Sequence, residues 1–161
     1  MLIDGDQLVA DFSEAAGELD LPGWPCQLEH ELLPAPHTPR SLPAGYGAVY
    51  AFALGRATTS AAGAGMVLKV GKVGPNSNAR FQSQHYLPTS AQSNLAKSLL
   101  AHPIVWPWLG ISGLTPSNVK SWMTGNLDRL HIFVPGDRPD VRSVLELYVR
   151  ARVGSVFEGS A

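Results

Sequence analysis

The stretch VLKVGKVGPNSNARFQSQHY, residues 67–86, sets Lys69, Lys72 and Arg80 close together and adds His85 five residues after the arginine. Lys69 interrupts an apolar run, and the turn Gly74-Pro75-Asn76 follows Lys72. Cations at the end of a strand suit a phosphate, which a guanidinium grips with two parallel hydrogen bonds and an ammonium holds as a point charge. Hydrolysing a phosphodiester also needs a base for water and a way to offset charge on the departing oxygen. Tyr50 lies upstream of these cations. A phenol titrates near ~10, so it acts as a base only where lysines or metal-bound water pull that value down. Glu146, downstream, offers a hard oxygen ligand for Mg²⁺ or Mn²⁺, and such an ion needs only one or two carboxylates.

Each residue also has an ordinary reading. A tyrosine in an apolar strand packs in a core. Glu146 stands four residues from both Arg142 and Arg150, as a helix-surface ion pair would. Arg80 reads equally as a solvated arginine in a first helical turn, where the helix dipole mildly disfavours a cation. His85 suits either proton transfer or a surface cap. The sequence GKVGPNS lacks the spacing of a nucleoside-triphosphate phosphate loop.

The elements that hold these residues follow from periodicity and punctuation. Leu8, Val9, Phe12, Ala16 and Leu19 recur at helical spacing over 5–19, behind Asp4 or Asp6 as a cap. The proline-rich stretch 33–45 predicts an extended connector. GAVYAFAL (47–54) predicts a central strand, 55–65 a flexible hairpin loop, and MVLKVGK (66–72) the returning antiparallel strand. On that strand Lys69 should share a face with Val67 and Gly71, the glycine letting a substrate backbone approach. Ser77 or Asn78 can cap a short helix carrying Arg80. Further helices are expected over 90–102, over 115–126 with Thr115 as cap, and over 138–153, where Val141, Val144, Leu145 and Tyr148 fall on one face. Strand 129–135 turns Leu130, Ile132 and Val134 inward, and His131 there reads as structural. Trp106, Trp108 and Trp122 read as core, or as base-stacking residues.

Charge is unevenly distributed. Residues 1–31 carry eight acids and no lysine or arginine, 32–127 carry seven basic residues and no acid, and the remainder balances five against five. The middle segment, including Lys97, is therefore the part suited to a polyanion. No apolar run reaches the roughly 18 residues of a membrane span. The N-terminus lacks the basic region of a secretory signal, and the single cysteine, Cys26, makes no internal disulfide. These features predict a cytoplasmic protein.

In order, AVYAF, LKVGK, an arginine eight residues after Lys72, and a glutamate on a late helix resemble the GIY-YIG nuclease family over residues 45–159. Val49-Tyr50 resembles the end of its first motif. Lys69-Val70-Gly71 resembles its second, with lysine in place of tyrosine and Lys72 continuing it. Arg80 resembles its helix arginine, and Glu146 its metal-binding glutamate. Ala48 replaces the first motif's glycine, and Phe157-Glu158-Gly159 stands where the family often carries an asparagine.

The resemblance implies an α+β fold, a small three-stranded, mainly antiparallel sheet flanked by helices. Residues 1–44 would form an acidic helical leader and connector, and 45–161 the nuclease domain. It implies a metal-dependent DNA endonuclease in which Tyr50 activates water, Glu146 holds Mg²⁺ or Mn²⁺, and Arg80 grips the phosphate. Lys69, Lys72 and His85 would assist, and Lys69, Lys72, Arg80 and Lys97 would bind the nucleic acid. One metal site per chain implies a homodimer or sequential nicks. The alternative is a catalytically weak nucleic-acid-binding module on the same fold. The acidic leader either packs as a helix at the domain edge or lies across the basic segment as a polyanion mimic.

Overall fold

Two apolar cores form on opposite faces of one antiparallel sheet in the computed structural model, which describes residues 3–90 and 94–157. Helix α1 (Gly5–Glu18) is capped by Asp4, whose carboxylate accepts from Gln7 N at 3.1 Å, and buries Leu8, Phe12 and Ala16. Strand β1 (Glu29–Leu33) follows, and then an irregular proline-rich passage. Strands β2 (Tyr46–Leu54) and β3 (Val67–Val73) form the expected hairpin. Helix α2 (Asn78–Gln82) is short, with Ser77 at its cap position, and a single 3-10 turn spans Gln84–Tyr86. Helices α3 (Leu95–Ala101), α4 (Trp106–Leu109) and α5 (Val119–Asn126) lead to β4 (Leu127–Pro135) and to α6 (Pro139–Val153).

The sheet has four strands in the order β1-β4-β2-β3, all neighbours antiparallel, rather than the three expected. The added strand is β1. Its sequence EHELL opens with three polar residues and has only Leu33 buried, as an edge strand does. The acidic stretch expected to precede the domain thus contributes both α1 and β1 to this sheet and its packing. α1 shares a core with Val49, Ala51, Leu130, Ile132 and α6, on the face away from Tyr50. Its Asp11 pairs with Arg152 at 2.8 Å and its Asp6 with His30 at 3.0 Å, while Glu31 of β1 pairs with Arg40.

Two further boundaries and the facing of one strand differ from expectation. α3 begins at Leu95 because Asn94 caps it, accepting from Lys97 N at 2.9 Å; the expected start at 90–93 falls partly outside the described residues. α5 begins at Val119 because residues 115–118 form a turn, in which Asn118 Oδ1 accepts from Thr115 N at 2.7 Å. On β3 a bulge opposite Phe52 and Ala53 shifts the register. Lys69 therefore faces the same way as Gly71, Tyr50 and Phe52, while Val67 joins Val70 in the opposite core. No helix among the described residues is long and apolar enough to cross a membrane.

A candidate phosphate site around Tyr50

Tyr50 leaves the middle of β2 toward the core that α2, α3 and α5 cover. Its neighbour across the hairpin is Gly71, and a Cβ on Gly71 would stand 2.7 Å from Tyr50 Cζ. The phenol therefore lies across the glycine, and the space expected to admit a substrate backbone is filled by Tyr50 itself. The hydroxyl is buried and makes no hydrogen bond of full geometry. Burial raises its pKa to about 12, against the opposing pull of the Arg80 and Arg129 guanidiniums, while Glu146 adds to the rise. At neutral pH Tyr50 is a protonated phenol with cations beside it.

His85 packs at a tilt against Tyr50, with ring centroids 4.6 Å apart, and against Phe52 at 5.5 Å. Neither ring nitrogen has a hydrogen-bond partner. Burial, then Arg129, Lys69 and Arg80, hold its pKa well below the ordinary histidine value, so the imidazole is neutral. Lys69 is buried as well, only 2% exposed, and burial followed by the charge of Arg80 lowers its pKa. The face it occupies is packed protein, not solvent. Arg80, half-buried on α2, acts on Tyr50, Lys69 and His85 alike.

Lys72 leaves β3 from the other face. Its Nζ lies 3.0 Å from Glu146 Oε2 and donates to Ser143 Oγ at 3.1 Å, both on α6. β3 ends the sheet, its first residues Val67 and Leu68 accepting from Val156 N and Phe157 N, and the two groups flank the rest of that edge: Tyr50, Lys69, Arg80 and His85 on one side, Lys72 and Glu146 on the other. Lys97, on α3, takes part in none of these contacts.

Sequence reasoning missed Arg129. It is fully buried beneath the phenol, across the strand from Phe52, among four rings. Its Cζ lies 4.5 Å from the Phe81 centroid, 5.0 Å from Phe52, and 5.8 Å from both Tyr50 and Tyr86. Nη2 donates to Phe81 O at 2.5 Å and Nη1 to Tyr86 Oη at 3.2 Å. Burial lowers its pKa and the Tyr86 and Tyr50 hydroxyls raise it; no carboxylate contributes. The available signal was alternation: if Leu130 and Ile132 face one core, Arg129 and His131 must face the other. His131 is indeed packed, between Phe81 at 4.5 Å and Phe133 at 5.7 Å. Its pKa falls to about 2, mainly through burial, so its 3.5 Å approach to Glu31 is a contact of a neutral ring and not an ion pair. Trp106 donates to Leu99 O at 2.7 Å and packs on the core with Trp122, whereas Trp108 is 39% exposed.

The balance of charge is one-sided. Arg80 and Arg129 act on the phenol and Lys69 on the neighbouring His85, and the one acid acting on the phenol, Glu146, is already paired with Lys72. Such a site draws an anion. No group of three or more His, Cys, Asp or Glu side chains among the described residues could hold a metal ion. A lone carboxylate still suits Mg²⁺ when waters and a substrate phosphate complete its shell. Glu146 therefore fits a cation that arrives with a phosphate better than a resident one. A hollow of about 610 Å³ lies elsewhere, between α1, residues 62–67 and the end of α6, and includes none of these residues. No family model matches the chain, and no curated protein or solved structure matches it. The family resemblance rests on the residues alone.

Proposed function

We propose that the chain is a phosphodiester hydrolase of GIY-YIG type acting on DNA. The observation that carries this reading is convergence: Arg80 of α2, Arg129 of β4, Glu146 of α6 and His85 of the 3-10 turn all bear on the one phenol that β2 carries. In this reading Arg80 holds the scissile phosphate with paired hydrogen bonds, and Lys69 adds charge that burial makes stronger. Arg129, caged below, keeps the phenol in a positive field. A divalent ion bound through Glu146 would supply further neutralisation of the phosphate. Lys72 must then leave Glu146, which its exposure permits. Tyr50 orients the attacking water and takes its proton only once the phenol's pKa has fallen far from about 12.

That last condition favours a second reading, the nucleic-acid-binding module. A buried, protonated phenol and a carboxylate neutralised by lysine suit holding a phosphate better than cutting beside it. Single-turnover cleavage of an end-labelled duplex in Mg²⁺ and in Mn²⁺ separates the two. The nuclease reading expects Arg80→Gln to slow cleavage by about 10²-fold or more, as loss of a charge-stabilising donor does, and Tyr50→Phe to remove it. Salt-sensitive binding by a folded wild type that never cuts would leave the binding module instead.

A further inference from the structure

Helix α6 carries a second polar group that the proposed chemistry does not use. Arg142 lies one helical turn before Glu146, and its neighbour Ser143 already accepts from Lys72. The Arg142 side chain runs back over the hairpin: a Cβ on Gly47 would stand 3.0 Å from its Cδ, and one on Gly74 would stand 3.9 Å from its Nη2. The guanidinium thus reaches from the start of β2 to the Gly74-Pro75-Asn76 turn that ends β3. Its Nε and Nη1 are buried without any acceptor. Buried donors without acceptors are uncommon in native proteins, and a cation near the first turn of a helix also opposes the helix dipole. An anion would resolve both misfits once the side chain lifts from Gly47, which now closes these two atoms to solvent.

We propose that Arg142, Lys72 and Ser143 form a second phosphate subsite, which takes the phosphodiester next to the one held by Arg80 and Lys69. This rests on reading the chain as a nucleic-acid-binding protein, whether or not it cuts. Lys69 and Lys72 are three residues apart on β3, about 10 Å along the strand, and they project from opposite faces. A nucleic-acid strand crossing the β3 edge meets the Arg80 group on one side and the Arg142 group on the other, so the two groups hold different phosphates. The subsite fixes the direction in which the strand crosses.

The test is binding without turnover. Fluorescence anisotropy of a labelled duplex in EDTA, over about 50 to 200 mM NaCl, gives a log–log slope that counts phosphate contacts at about 0.9 each. Arg142→Gln should lower that slope by about one contact and weaken binding at low salt, while Arg40→Gln, on an arginine paired with Glu31, should leave both unchanged. Arg142→Lys should keep the slope and lose several-fold in affinity, because the charge stays and the fork is lost. A folded Arg142→Gln with the wild-type slope would overturn the subsite, its role then being only to cover Gly47. If Arg142→Gln does not fold, Arg142→Lys decides, and unchanged affinity in that variant overturns the proposal. Wild-type protein with no salt-dependent binding would overturn both the subsite and the reading beneath it, whereas binding by wild type with an unaltered variant removes the subsite alone.

Discussion

At Gly71 the missing side chain is what seats Tyr50, because any Cβ would stand 2.7 Å from Tyr50 Cζ. Gly71→Ala must push the phenol off the hairpin or bend β3. Overpacking of this kind costs roughly 1–3 kcal/mol, so thermal denaturation should show a lower midpoint, and any activity that needs Tyr50 in place should fall further than stability does. His131 gives a second prediction. Its folded pKa, about 2, lies far below the ordinary histidine value of 6.5. Between those values the unfolded chain binds a proton that the native chain does not, so stability is full above about pH 6.5 and is lost as pH falls. Each such histidine adds about 1.4 kcal/mol per pH unit, and His85, shifted the same way, adds to the same limb. Denaturant titrations from pH 7 down to pH 4 should show that slope, and His131→Phe should remove one histidine's share. An unchanged slope in that variant would mean the ring is protonated when folded.

The elements were unequally legible. β2 was plain because both of its faces are buried, which reads as a continuous apolar run. α6 was plain from the spacing of Val141, Val144, Leu145 and Tyr148, although the buried stripe runs through Val141, Leu145 and Val149 and leaves Val144 exposed. β1 was not: five residues with two glutamates and a histidine carry little strand propensity, and only pairing with β4 along Glu29–Leu33 makes them a strand. Faces on β3 were misassigned for the same reason, since a bulge arises from how two strands meet. α1 bears on function through packing. Leu8 and Phe12 are buried against the sheet, and burying such side chains contributes about 1.5–3 kcal/mol each. Against a total stability of about 5–15 kcal/mol, that loss is large, and removing β1 also exposes β4. Deleting residues 1–44 should therefore give a chain without cooperative unfolding by circular dichroism. A deletion that folds and melts as wild type does would contradict this packing.

Over the whole molecule, acid and base separate along the chain, although the face of the sheet that carries the acidic helix also carries Lys72 and the arginines of α6. The acidic helix lies on the face away from Tyr50, and its acids pair with His30 and Arg152, so the cations around the phenol keep their field. The site residues were legible because their types and order are unusual: a lysine inside a strand, an arginine at a helix start, a late glutamate. Arg129 and Arg142 were not legible, because only the fold shows that one sits in a cage of rings and that the other has donors without acceptors. The burial of Tyr50 was the ordinary reading of a tyrosine in an apolar strand, and it is the feature that weighs most against easy catalysis. The most direct measurement is supercoiled-plasmid cleavage in Mg²⁺ and then Mn²⁺, comparing wild type with Glu146→Ala, both shown to be folded. Nicked or linear product that disappears in the variant is the predicted result. Equal cutting by the variant, or none by the wild type, would contradict the assignment of this cluster as a hydrolytic site.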